Sequence, residues 1–186
     1  MVIDKIIAGA ILVLGMVQIA LMYTTANPTP PPTPMLVVTM VVAYIIEAAT
    51  MFFRRTRPIS MLWICILAEA VTKTAAIIQG FQNNNTNNLA VLFLGYAVIR
   101  YAPKPVPHLI AQTSVYTLML TIVWAYFNIS PASPLLRAGI GAFSGLASFA
   151  LGVGAGYVVS NNQRLVAAQR QTLLAEERTR IARELH

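Results

Sequence analysis

Six apolar runs, most of them close to 20 residues long, set the limits on what this chain can become. A helix rises about 1.5 Å per residue, so about 20 apolar residues cross the roughly 30 Å hydrocarbon layer of a bilayer. The runs are Ile6 to Tyr23, Met35 to Phe53, Ile59 to Gln79, Leu89 to Ala102, His108 to Phe127 and Leu135 to Val159. Only 10% of the 186 residues are charged, against about 25% in an average soluble domain. The expected fold is all-α: a polytopic membrane protein with six transmembrane helices over residues 1–159. Residues 160–186 then form a C-terminal cytoplasmic amphipathic helix.

The connections are read from their composition. Asn27 to Pro34 reads NPTPPPTP; consecutive prolines lack amide donors and favour a stiff polyproline II linker. The asparagine-rich stretch Gln82 to Asn88 needs water. Thr24-Thr25-Ala26 resembles a signal-peptide cleavage site, but the first apolar run exceeds the 7–15 residues of such a peptide, so the run is expected to be retained. The fourth run covers only about 21 Å. A re-entrant excursion and a short crossing are both solutions.

Charge decides between them. Lys5, Arg54, Arg55, Arg57, Arg100, Lys104, Arg164 and Arg170 fall on one side of a six-span chain, and only Arg137 on the other. Basic residues concentrate on the cytoplasmic side, so both termini are expected in the cytoplasm and the fourth run is expected to cross. Local thinning of the bilayer accommodates its length. Tyr23, Trp124 and Tyr126 sit near the outer ends, where amphipathic rings prefer the interface. The basic residues follow the span ends and form no nucleic-acid surface. Cys65 is the single cysteine, so no disulfide framework exists, and His108 and His186 are too far apart for a metal motif.

Three ionisable residues interrupt the spans: Glu47 in the second, Glu69 and Lys73 in the third. Such groups cost several kcal/mol near mid-bilayer and often mark function. Glu69 and Lys73, four apart, share a helix face; Glu47 is either protonated or reaches Lys73 from the neighbouring helix. These residues either line a sensing site, including one that responds to pH, or fix helix packing. In the sixth span Ser144, Ser148, Gly152 and Gly156 recur every four residues, with Gly141 and Gly145 alongside. Small residues at this spacing allow close helix approach, within one bundle or at a dimer seam.

Beyond Ser160 the chain loses Gly and Pro and becomes charged. Ala167, Leu174 and Ile181 recur every seven residues, with Leu185 on the same face, an apolar seam suited to a partner helix. The stretch Glu177-Arg178-Thr179-Arg180-Ile181-Ala182-Arg183-Glu184-Leu185-His186 closely resembles the phosphoacceptor box of sensor histidine kinases of two-component systems. The match is to the subfamily of nitrate sensors and DesK-like kinases, whose box reads E-R-x-R-I-A-R-E-L-H-D. It covers ten residues.

That resemblance implies that His186 is the phosphoacceptor. Its neutral ring nitrogen would attack the γ-phosphate of ATP, bound with Mg2+ by a catalytic domain, and pass the phosphoryl group to an aspartate of a response regulator. It also implies a homodimer in the bacterial inner membrane. The family's aspartate after the histidine, its second dimerisation helix and its ATP-binding domain are not among residues 1–186, and no Gly-rich phosphate loop occurs. The chain is expected to be a truncated kinase front end, unable to phosphorylate itself and holding no cofactor. Short outer loops imply a stimulus within or at the bilayer: lipid state, a hydrophobic ligand or a membrane partner. The rival reading is a small proton-coupled transporter or membrane scaffold, for which the same three ionisable residues would serve. The helical tail has no role in transport, and no inverted repeat relates the two halves.

Overall fold

A computed structural model describes residues 2–25, 32–78, 89–127 and 133–184. The described elements are all helices: α1 (Val2–Thr25), α2 (Pro34–Phe53), α3 (Pro58–Ile78), α4 (Leu89–Tyr101), α5 (Pro105–Phe127) and α6 (Pro134–Glu184). Five are long and apolar enough to cross a membrane, and α4 is a shorter apolar helix. The apolar elements thus keep the expected order, although most of the Pro-rich connection and all of the Asn-rich one lie outside the described residues.

The helix starts follow local chemistry. Four of the six begin at proline, where the missing amide would have no intrahelical acceptor. Thr33 Oγ1 accepts from Leu36 N–H and Ser133 Oγ from Leu136 N–H, each at 3.3 Å, capping α2 and α6. The fifth helix begins three residues earlier than expected, because Pro105 and Pro107 both fit its first turn. The first also starts earlier, at Val2, and so takes Asp4 and Lys5 into α1.

α1 packs on α2 and α2 on α3; α3 reaches α4 and α5, and α6 lies against α4 and α5. One core joins Ile11, Met51, Leu62, Leu94, Tyr116 and Leu120. A second joins Ile19, Met22, Leu36, Met40, Tyr44 and Ala76. Large apolar side chains such as Val38, Leu67, Phe143 and Leu151 face outward, as helices that are apolar on every side do in lipid.

The depth of α4 departs from a simple crossing. Gly152 of α6 packs on the Leu92 carbonyl, and Gly156 on Tyr96 and Ile99. Gly152 lies about 27 Å along α6 from Pro134, so Leu89 starts about 22 Å below that end. α4 therefore occupies only the part of the bundle nearer its arginine-rich end. From sequence alone, Leu89 to Ala102 reads as a short complete crossing; the link from Ile78 to Leu89 lies outside the described residues.

α6 is a single helix of 51 residues, about 77 Å long. Its first half is packed; from residue 161 onward every side chain described is exposed.

Candidate functional site

The three intramembrane charges converge. Glu47, Glu69 and Lys73 are only 1%, 3% and 4% exposed. Glu47 comes from α2 and the other two from adjacent turns of α3. Glu69 and Lys73 both act electrostatically on Glu47, and Lys73 on Glu69. Tyr44, Cys65 and Tyr116 stand within electrostatic reach of both carboxyls. The cluster therefore sits between α2 and α3, with Tyr116 of α5, which packs on α3, within electrostatic reach. One carboxyl oxygen, Glu47 Oε2, is buried with no hydrogen-bond partner among the described residues.

The bundle also buries polar groups that sequence reasoning passed over. The Tyr44 hydroxyl donates to Gln18 Oε1 at 2.7 Å, joining α2 to α1. Gly15 makes room for this tyrosine: a Cβ there would lie 2.5 Å from the Tyr44 ring. On α5, the fully buried Gln112 donates from Nε2 to the Ile59 carbonyl at 3.0 Å, and its Oε1 has no described partner. Tyr116, also fully buried, meets Phe149 of α6 edge-on, with ring centroids 5.7 Å apart. The signal for Gln18 and Gln112 was available, since each is a lone amide in an apolar run.

A second missed group lies at the arginine-rich end. Arg54 Nε and Nη2 both donate to Asp4 Oδ1 at 2.9 Å, and Arg55 Nη2 to Oδ2 at 3.0 Å. Asp4 and Arg54 are buried there, and Arg54 also lies 6.0 Å from the centre of the Phe93 ring. Removal of α1 as a cleaved peptide would strip Arg54 and Tyr44 of these partners.

The small-residue face of α6 is filled within the chain. A Cβ on Gly141 would lie 2.5 Å from the Leu120 carbonyl oxygen, and one on Gly145 3.0 Å from Thr117 Cα. Gly152 and Gly156 meet α4 as described. Ser148 is buried and its hydroxyl donates to the Ser144 carbonyl at 2.8 Å. Gly139 and Gly154 face open space.

Outside this core, a groove of about 440 Å³ runs between α2 and α3. The buried Ala43 and Ala68 form its floor, and the exposed Val42, Ile46, Ile64 and Leu67 its walls. Its volume and apolar lining suit an acyl chain or a small hydrophobic molecule. At the arginine-rich end, Arg100 of α4 hydrogen-bonds to Gln163 of α6. In the tail Leu174 and Ile181 are exposed. His186 and Leu185 lie outside the described residues, and among the described residues no group of His, Cys, Asp and Glu is arranged to hold a metal ion.

Comparison with protein-family models, with curated proteins and with solved structures found no match. The assignment of function therefore rests on the residues themselves.

Proposed function

We propose that this chain is the membrane sensor part of a two-component histidine kinase, embedded in a bacterial cytoplasmic membrane with both termini in the cytoplasm. One observation carries the reading. A single helix holds the packed spans at one end and Glu177 to Glu184, the first eight residues of the ERTRIARELH box, at the other. A rigid rod of about 77 Å transmits a shift, tilt or rotation along its length. The Arg100 to Gln163 hydrogen bond ties α4 to this rod just past its packed half.

The exposed Leu174 and Ile181 supply an apolar seam for the same helix of a second copy. In the dimer, movement of α6 would change the access of His186 to ATP. ATP with Mg2+ would be held by a catalytic domain, and the metal would neutralise the phosphate charge as ADP leaves. The imidazole nitrogen of His186 attacks the γ-phosphorus, the bond to the β-phosphate oxygen breaks, and ADP departs. The phosphohistidine then passes its phosphoryl group to an aspartate carboxylate of a response regulator. A lone imidazole suits this role because its neutral form is nucleophilic near pH 7.

The test is made on the chain continued with the residues that follow His186 in its gene. Membranes carrying it are incubated with radiolabelled ATP. Acid-labile, base-stable label that disappears in His186→Gln supports the proposal. Label that persists in that variant, or a gene that encodes no nucleotide-binding domain after His186, refutes it.

A further inference from the structure

We propose that the Glu47, Glu69 and Lys73 cluster is a proton-binding site, with Glu47 the residue that takes up and releases the proton. Two carboxyls and one amine carry a net charge of minus one when all are ionised. All three side chains are buried. Along α2 and α3 the buried Met51 and Leu62 lie toward the arginine-rich end from these residues, and the buried Met40 and Ala76 toward the other end. An uncompensated charge in such surroundings is strongly unfavourable, and the group neutralises instead.

Which acid neutralises follows from geometry. Glu69 shares a face of α3 with Lys73, one turn away. Glu47 approaches from another helix, and its Oε2 is the buried carboxyl oxygen with no described hydrogen-bond partner. An ionised carboxylate with a bare oxygen loses its water without a replacement donor. A protonated one does not carry that charge.

Among the described residues, the surroundings do not supply the missing positive charge. α2 adds Tyr44, α3 adds Cys65 and α5 adds Tyr116; α1 adds the amide of Gln18, bonded to Tyr44. The buried residues that α4 and α6 bring to the neighbouring core, among them Val91, Leu94, Val98 and Phe149, are apolar. The amino end of α4 starts near this depth, and its partial positive charge favours an anion. That attraction amounts to about half a charge at most and fades within a turn. Arg54 is committed to Asp4.

The exchange is a simple transfer. A hydronium ion at the membrane surface gives its proton to the Glu47 carboxylate and becomes water, and the cluster passes from minus one to neutral. Release reverses both changes. Tyr116 lies within electrostatic reach of Glu47 and touches Phe149 of α6, so the charge change is felt one contact from the long helix. The site does not involve His186, and it stands or falls separately from the kinase proposal.

The experiment is infrared spectroscopy of the full chain in proteoliposomes at neutral pH. The expected result is a protonated-carboxyl carbonyl band that shifts in heavy water. The conservative Glu47→Asp should move the band and Glu69→Asp should leave it in place. Lys73→Met should double its area, because both acids then need protons. Glu69→Gln should abolish it, because Glu47 then matches Lys73 one to one. Circular dichroism confirms that each variant keeps wild-type helicity. Absence of the band in the wild-type chain, which needs no variant, overturns the proposal. So does a band that follows Glu69→Asp instead of Glu47→Asp.

Discussion

Replacing Asp4 with alanine should destabilise the bundle far more than its position three residues from the amino terminus suggests. Asp4 receives two bonds from Arg54, at 2.9 Å through Nε and 2.9 Å through Nη2, and both side chains are 7% exposed. Truncating one partner of a buried pair strands the other charge and costs about 3–5 kcal/mol. The bond to Arg55 is different: that side chain is 49% exposed, and such a pair is worth about 0–1 kcal/mol. We therefore expect Asp4→Ala and Arg54→Ala each to cost about 3 kcal/mol or more, and Arg55→Ala about 1 kcal/mol or less. The Asp4→Ala/Arg54→Ala double variant should cost clearly less than the sum, since the two residues act as a unit. Reversible unfolding of purified protein in mixed micelles, followed by helicity, measures all four. An Arg55→Ala penalty equal to that of Arg54→Ala, or additive single variants, would refute the reasoning.

Three further expectations follow from packing. Gly152→Ala places a methyl group on the Leu92 carbonyl and should cost about 1–3 kcal/mol by forcing α4 and α6 apart, whereas Gly154→Ala, in open space, should be neutral or slightly stabilising; the same unfolding assay compares them. Tyr44→Phe removes the bond to Gln18 and should cost about 1 kcal/mol, while Gly15→Ala, which drives a methyl into the Tyr44 ring, should cost more. Ser160→Pro removes an intrahelical bond and kinks α6 just past its packed half; spin-label distances from residue 157 to residue 178 should shorten from about 31 Å while the unfolding midpoint of the bundle barely moves.

Apolar run length made most of the fold legible, because a bilayer leaves a long apolar segment little alternative to a helix. The boundaries of α2, α3 and α4 each fall within one residue of those read from the sequence. The candidate site was half legible. An acid or amine in a span stands out against apolar neighbours, so Glu47, Glu69 and Lys73 could be named without coordinates. Their convergence could not, because it depends on which faces α2 and α3 turn to one another. Asp4 escaped notice for a similar reason: 50 residues separate it from Arg54, and charge near a span end reads first as a topology signal. The depth of α4 was hidden too, since a hydropathy pattern gives a helix its length but not its height in the bundle. The four-residue spacing of Gly152 and Gly156 fitted either a dimer seam or internal packing, and it is the bulk of α4 that occupies that face.

The proposed function turns on which side of the membrane the far half of α6 occupies, and cysteine labelling measures this directly. A single cysteine is placed at Arg178 in a Cys65→Ser background and challenged with a membrane-impermeant maleimide, with Lys104→Cys and Ser133→Cys marking the two sides. Position 178 is expected to behave like 104, reacting in inverted vesicles and staying protected in intact cells. Labelling in intact cells, in step with position 133, would contradict it.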